Sequence, residues 1–152
     1  MNIVFVCTGN TCRSAMAEGL LKKMLADKSL KGIEVSSCGT ASLPTFRVPG
    51  ILLELMKDEG VFMAEHKSRQ ITKEIADHSD LILVMENAHK EYIKHKFPKF
   101  MEKLFLLKEY VKSDDKNFEI EDPIMQGKEV YLKTKEDIKN ALDKLINLLE
   151  AR

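Results

Sequence analysis

Residues 2–14 read NIVFVCTGNTCRS. The run NIVFV at 2–6 is short, β-branched and aromatic, and it stops at a bend containing Gly9, so it predicts a buried strand. From Ser14 to Leu25 the apolar residues Met16, Ala17, Leu20, Leu21, Met24 and Leu25 recur at helical spacing, and Ser14 and Glu18 suit the opening turns. A strand that bends within a few residues into a helix is the first half of a parallel crossover unit. The remainder of the chain repeats that pattern.

Working outward, GIEVSS at 32–37 predicts a second strand and KLFLL at 103–107 a fourth. Between them LILVM at 81–85 is continuously apolar, as in a strand covered on both faces. Helices are predicted over 51–60, stopped by Gly60, and within 71–80, where Thr72 is a natural N-cap. A further helix runs over 86–97 as far as Pro98. From about Val130 the residues Ile138, Leu142, Leu145, Ile146 and Leu149 form one apolar stripe on a long helix. Strands alternate with helices and no hairpin signal intervenes. The expected fold is α/β: a single three-layer domain over 1–152, with a four-stranded parallel sheet of order 2-1-3-4 and helices on both faces. In that order the winding direction reverses at strand 1, and the crevice opens at its carboxyl end, where residues 7–14 lie.

Composition narrows the function. The 24 basic and 24 acidic side chains cancel, so the chain lacks the basic excess of a nucleic-acid or membrane-surface binder, and neither partner is expected. The lysines of 89–103 and the carboxylates of 113–122 read as solvated faces. Met1 is followed by no charged head and small-residue cleavage site of a secretory signal, and no apolar run reaches membrane-span length. Three cysteines, an odd count, point to free thiols in the cytoplasm. There is no Cys-x-x-Cys and no paired His/Cys cluster, so no metal and no cofactor are expected.

The chemistry concentrates at the first bend. A short loop from strand to helix can turn its backbone N–H groups toward one centre, and the helix adds its own unpaired N–H groups and dipole; such a nest binds a tetrahedral dianion. Gly9 would give the tightest point its backbone freedom. Asn10 tolerates a left-handed conformation and can brace the loop. Arg13 offers a planar fork to two phosphate oxygens. Thr8, Gly9, Asn10, Thr11, Cys12, Arg13 and Ser14 are therefore the candidate phosphate-binding loop. The same field favours the thiolate of Cys7, and Ser14 can donate a hydrogen bond to that sulfur. A cysteine at a strand end is ordinarily a small buried hydrophobe; here Cys7, Gly9, Arg13 and Ser14 all fall where a phosphate cradle needs them. The thiolate would attack phosphorus, and water would release the thiophosphate. A departing atom needs a proton. In EDP at 121–123, Pro123 biases Asp122 toward an extended backbone that projects its carboxyl. An Asp-Pro alone is an ordinary turn, but Asp122 is the candidate acid, and then the base for water.

VCTGNTCRS at 6–14 resembles the signature of the low-molecular-weight protein-tyrosine-phosphatase family, and EDP resembles its general-acid loop. EHKSRQIT (65–72), SDLILVM (79–85) and LFLLKEYV (104–111) follow in the family's order. The resemblance implies a four-stranded parallel sheet, a cysteinyl-phosphate intermediate and no metal, with Cys7 as nucleophile, Arg13 as phosphate fork and Asp122 as acid. Within the family the chain resembles the bacterial protein-arginine phosphatase branch: Thr11 stands where tyrosine-directed members commonly carry a larger aliphatic, and AHKEYI (88–93) and LKEYV fit the same branch. A Thr11 hydroxyl at the pocket wall can hydrogen-bond a guanidinium, so phosphoarginine on protein substrates is favoured, with phosphotyrosine as the alternative.

Several positions depart from the family pattern. Ala15 replaces a usual proline and Ile124 a common aromatic, so Thr11 and Ile124 are the candidate specificity residues. The loop TASLPTFRVPG (40–50) has no tryptophan, leaving Leu43, Pro44 or Phe46 to line the entrance. Cys12 is a candidate redox partner that could close a reversible disulfide with Cys7, Cys38 reads as packing, and His66 and Arg69 could brace the loop from behind. Two other functions compete. Arsenate reduction with thioredoxin recycling uses later cysteines, and none follows Cys38. A non-catalytic phospho-residue binder would not need Cys7, Arg13 and Asp122 together. A monomer is expected.

Overall fold

In the computed structural model, which describes residues 1–152, strands β1 (Asn2–Cys7), β2 (Glu34–Gly39), β3 (Leu81–Val84) and β4 (Leu104–Leu106) form one parallel sheet in the order β2-β1-β3-β4. This is the topology the sequence predicts. Helices α1 (Arg13–Asp27), α2 (Gly50–Lys57), α5 (Leu107–Tyr110) and α6 (Lys128–Glu150) contribute to the larger core on one face of the sheet. Helices α3 (Lys73–His78) and α4 (Asn87–Lys96) cover the other.

The period-two alternation of β1 divides the core. Ile3, Phe5 and Cys7 enter the cluster beneath α1 and α6, while Val4 and Val6 enter the cluster beneath α3 and α4 with Ile82, Val84 and Ile93. Cys7 therefore faces the side from which α1 springs. The apolar stripe of α6, including Ile138, Leu142, Leu145 and Ile146, is buried along its length, and α6 lies against α1.

Local signals act as their chemistry requires. Thr72 caps α3 by accepting the Ile75 N–H at 3.2 Å. Gly60 has φ +72°, and the Val61 N–H reaches back to the Met56 carbonyl at 2.9 Å, closing off α2. β1 runs one residue further than read, to Cys7, and β3 stops one residue short, at Val84; β2 and β4 differ more. The second strand runs over Glu34–Gly39 rather than 32–37. Its end is fixed by Gly39, paired with Cys7, where an added Cβ would stand 2.3 Å from the Thr8 carbonyl oxygen; only glycine allows that approach. The fourth strand is shorter than predicted. Pro98–Lys103 forms a 3₁₀ turn ahead of it, and Leu107 already begins α5, whose Glu109 carboxylate accepts the Leu106 N–H at 3.2 Å. No helix is long and apolar enough to cross a membrane.

Candidate active site

The bend between β1 and α1 sets its amides apart from its carbonyls. The carbonyl of Cys7 accepts the Thr40 N–H and that of Thr8 the Ala41 N–H, each at 2.9 Å. The Gly9 carbonyl accepts the Ser42 hydroxyl at 2.7 Å. The Asn10 carbonyl accepts both His66 Nε2 at 2.8 Å and the Ser68 hydroxyl at 2.9 Å. The N–H groups of Thr8 through Arg13, by contrast, donate to no protein acceptor. In α1 itself, the N–H of Met16 is the first to find a carbonyl, that of Cys12. Carbonyls drawn outward and amides left unpaired beside a helix start are the elements of an anion receptor.

Asn10 is the hub of this arrangement. Its φ is +60° and its side chain is fully buried. Nδ2 donates to Ser14 Oγ and to Ser37 Oγ, each at 2.8 Å, while Oδ1 accepts the Arg69 N–H at 3.1 Å. Arg69 Nε in turn holds the Ser37 carbonyl at 3.0 Å, and Ser37 donates to Glu18 at 2.6 Å. The left-handed backbone falls on Asn10 and not on Gly9, which lacks a positive φ. A Cβ at Gly9 would meet Thr11 Oγ1 and Phe46 Cδ2 at ordinary contact distances of 3.7 and 3.8 Å. Asparagine tolerates the left-handed region because its amide can satisfy neighbouring groups, and here it satisfies three.

Cys7 Sγ lies 2.9 Å from Ser14 Oγ. Asn10 already donates to that oxygen, so the single Ser14 proton is available to the sulfur, with the Cys38 carbonyl a more distant acceptor at 3.3 Å. All three cysteines are free and buried. Burial pushes the thiol of Cys12 up to about 11, partly offset by its hydrogen bond with Thr11, at 3.7 Å. Burial likewise raises Cys38 to about 12.

Arg13 is 2 % exposed despite its charge. Its Nη1 is fully engaged, donating to Glu86 Oε1 at 2.5 Å and to the Ile120 carbonyl at 2.9 Å. Nη2 lies 3.5 Å from Asp122 Oδ2. The edge formed by Nε and Nη2 is thus the one left for a bidentate anion. Asp122 is half-buried, and its Oδ1 accepts the Ile124 N–H at 3.1 Å, an Asx turn that holds the carboxyl beside Arg13. Ile124 itself is exposed. Phe46, from the 40–50 loop, stands over Gly9, and Leu43 is exposed beside it in the chain.

The fold thus brings Cys7, Arg13, Ser14 and Asp122 to one place. Sequence reasoning did not single out Glu86, Ser37, Ser68 or His89. His89 Nδ1 accepts the Glu86 N–H at 3.0 Å, so its proton sits on Nε2 and is donated to Thr8 Oγ1 at 2.9 Å. Burial, reinforced by the Arg13 charge, lowers this imidazole to about 4 and keeps it neutral. The signal available in the sequence was Glu86 three residues ahead of His89, the spacing of a capping box, with the carboxylate at the cap and the imidazole at N3.

A family model described as low molecular weight phosphotyrosine protein phosphatase matches residues 2–152. The chain is 33% identical over 150 residues to a protein-arginine-phosphatase of Bacillus subtilis, covering 99% of this chain and 97% of that one. It is 36% identical over 148 residues to a protein-arginine-phosphatase of Geobacillus stearothermophilus, covering 97% and 95%. Among solved structures it superposes on YwlE arginine phosphatase, a cysteine-to-serine mutant with a phosphorylated active-site serine, with a TM-score of 0.92 at 32% identity over 99% of this chain and 96% of that one. A bend whose amides converge beside a buried thiol, matched along almost the whole chain, leads to one conclusion: the protein belongs to the low molecular weight phosphotyrosine protein phosphatase family.

Proposed function

We propose that this chain is a cysteine-dependent protein phosphatase whose substrate is phosphoarginine. The observation that carries the reading is the separation at the first bend: the amides of Thr8–Arg13 are free while the carbonyls of Cys7–Asn10 are each occupied. That geometry stabilises the three equatorial oxygens of a phosphoryl group in transfer. The arginine-phosphatase names of its similar relatives support the substrate, as does Thr11, whose hydroxyl is a polar wall suited to a guanidinium.

In the first step the Cys7 sulfur forms a bond to phosphorus as the phosphorus–nitrogen bond of phosphoarginine breaks, and Asp122 gives its proton to the departing nitrogen. The Nε/Nη2 edge of Arg13 and the loop amides hold the phosphoryl oxygens in both steps. In the second step water attacks the cysteinyl phosphate, Asp122 takes the water proton, and the phosphorus–sulfur bond breaks to return the Cys7 thiolate and inorganic phosphate. Ser14 donates to the sulfur whenever it is anionic. The charge stabilisation comes from Arg13 and the backbone, so the scheme calls for no metal and no cofactor. Every group comes from one chain, so a monomer suffices, and three free thiols suit a reducing, cytoplasmic setting.

Hydrolysis of phosphotyrosine is the alternative, favoured by Phe46 at the rim over Gly9, where a ring could pack. Turnover of matched phosphoarginine and phosphotyrosine peptides separates the two. The proposal expects the higher kcat/KM on phosphoarginine, loss of turnover in Cys7→Ser, and a shift toward phosphotyrosine in Thr11→Ile. A large phosphotyrosine preference in the wild type rejects the arginine assignment; activity surviving Cys7→Ser rejects the mechanism.

A further inference from the structure

Asp122 is delivered by residues 111–127, the connection between α5 and α6, which contains no helix or strand. Close to Asp122 this connection is pinned by the Ile120 N–H to the Met85 carbonyl at 2.9 Å, by Arg13 Nη1 to the Ile120 carbonyl at 2.9 Å, by the Asn87 N–H to Glu119 Oε2 at 2.8 Å and by Thr134 Oγ1 to the Glu121 carbonyl at 3.2 Å. Its outer half is held by charge. Lys108, on α5, is 5 % exposed as a residue, and its Nζ lies 2.8 Å from Asp115 Oδ2 and 2.8 Å from Asp137 Oδ1. Asp115 belongs to the connection and Asp137 to α6, so one buried ammonium bridges the two, beside a second and more exposed tie from Lys144 of α6 to Asp114 at 3.1 Å.

The surroundings are acidic. A cleft of about 770 Å³ separates the connection from α6, and Asp115, Glu119, Glu121 and Asp122 line one wall opposite Glu136 and Asp137. Lys116 and Lys133 also border the cleft but form no ion pair; Lys108 is the cation placed between the walls. Burial pulls its ammonium down, but the hydrogen bonds to Asp115 and Asp137 outweigh that and hold it above the ordinary lysine range, so its charge persists at neutral pH. Only the ammonium is buried; Asp115 is exposed and Asp137 partly so, and removing Lys108 unties these two carboxylates, which then face each other across the cleft with no cation between them.

We infer that Lys108 is a positioning residue for the general acid: by clamping Asp115 to Asp137 it holds the connection down on α6 and keeps Asp122 beside Arg13. The inference rests on the phosphatase reading above. Lys108 touches neither phosphoryl group nor sulfur, so its loss should mimic loss of the acid and leave the nucleophile intact.

The test uses the dependence on leaving group. With p-nitrophenyl phosphate the leaving group departs readily unprotonated; with phenyl phosphate it needs a proton. In Lys108→Met, kcat/KM should fall ~10-fold more on phenyl phosphate than on p-nitrophenyl phosphate, in the direction shown by Asp122→Asn. Lys108→Arg should keep the wild-type ratio. Asp115→Asn, a milder change at an exposed partner, should move the ratio the same way, and it decides the matter if Lys108→Met does not fold. Equal losses on the two esters in Lys108→Met, or no change of ratio in Asp115→Asn, overturn the clamp. If Asp122→Asn itself loses equally on both esters, the acid assignment fails instead, and with it the reading on which the clamp depends.

Discussion

Nδ2 of Asn10 lies 2.8 Å from Oγ of Ser14 and fills an acceptor site on that hydroxyl, whose oxygen also lies 2.9 Å from the sulfur of Cys7, where its proton can be donated to a thiolate. An amide four residues before Ser14 thus braces the serine that faces the Cys7 sulfur. The same Asn10 is the residue in the left-handed region, so its backbone and its side chain serve one arrangement.

These two contributions can be separated. Asn10→Ala should cost about 1–3 kcal/mol, because it leaves Ser37, Ser14 and the Arg69 N–H short of a buried partner and adds backbone strain. Asn10→Gly restores the backbone freedom but not the hydrogen bonds. It should recover part of the stability in urea melts while its kcat/KM stays as low as that of Asn10→Ala. Full recovery of activity in Asn10→Gly would show that only the backbone matters.

The two glycines near the bend should respond differently to alanine. At Gly39 a Cβ would press on the Thr8 carbonyl at 2.3 Å, which is backbone and cannot swing away. Gly39→Ala should therefore destabilise by about 1–3 kcal/mol and depress activity by displacing the bend. At Gly9 the nearest atoms stand at 3.7 and 3.8 Å, so Gly9→Ala should stay within about 0.5 kcal/mol of the wild type. Denaturant midpoints of the two variants, compared side by side, check this.

His89 predicts an acid limb of stability. Its imidazole is lowered from 6.5 to about 4 in the folded protein. Between those values the unfolded chain binds the extra proton and the native protein does not, so stability is complete above 6.5 and declines as pH falls through the window toward 4. The contribution is on the order of 3 kcal/mol at most. Nitrogen chemical shifts of His89 should report a neutral ring with its proton on Nε2 at pH 5–6, as the bond to Thr8 requires. A charged His89 ring in that range would contradict the geometry.

Thiol labelling should distinguish the cysteines. Cys12, raised from 9.0 to about 11, is present as thiolate about 100-fold less than an ordinary cysteine, and Cys38 less still. Iodoacetamide at neutral pH should therefore modify the native protein at Cys7 ahead of the other two, and in urea all three should react. Mass spectrometry of tryptic peptides gives the order; native labelling of Cys12 or Cys38 before Cys7 would contradict it.

The sheet order, the strand-to-helix bend and the grouping of Cys7, Arg13 and Ser14 were legible because they depend on neighbours in sequence: apolar period, a glycine, a helix start. What was not legible is what lies behind the bend. Glu86 and the Ile120 carbonyl, which occupy Nη1 of Arg13, are 73 and 107 residues away along the chain, and no local pattern marks either as an arginine partner. Gly39 reads as an ordinary loop glycine until β2 is paired with β1 and the Thr8 carbonyl appears above it. Lys108 reads as one more surface lysine, because a sequence does not show that α5, the connection carrying Asp122 and α6 meet at its ammonium. Of the Gly-Asn pair, Asn10 takes the left-handed backbone and braces the loop as its chemistry suggested, while Gly9, expected to supply freedom at the tightest point, has no positive φ.

The occupied carbonyls of the bend have a last consequence. With Thr40, Ala41 and Ser42 each holding one and His66 and Ser68 sharing a fourth, the bend is held in its receptor shape before an anion arrives. Reactant and product share a tetrahedral oxyanion that such a rigid mould grips alike, so free orthophosphate should compete with substrate in simple proportion to its concentration. Whatever preference the enzyme has must then come from the organic group attached to phosphorus.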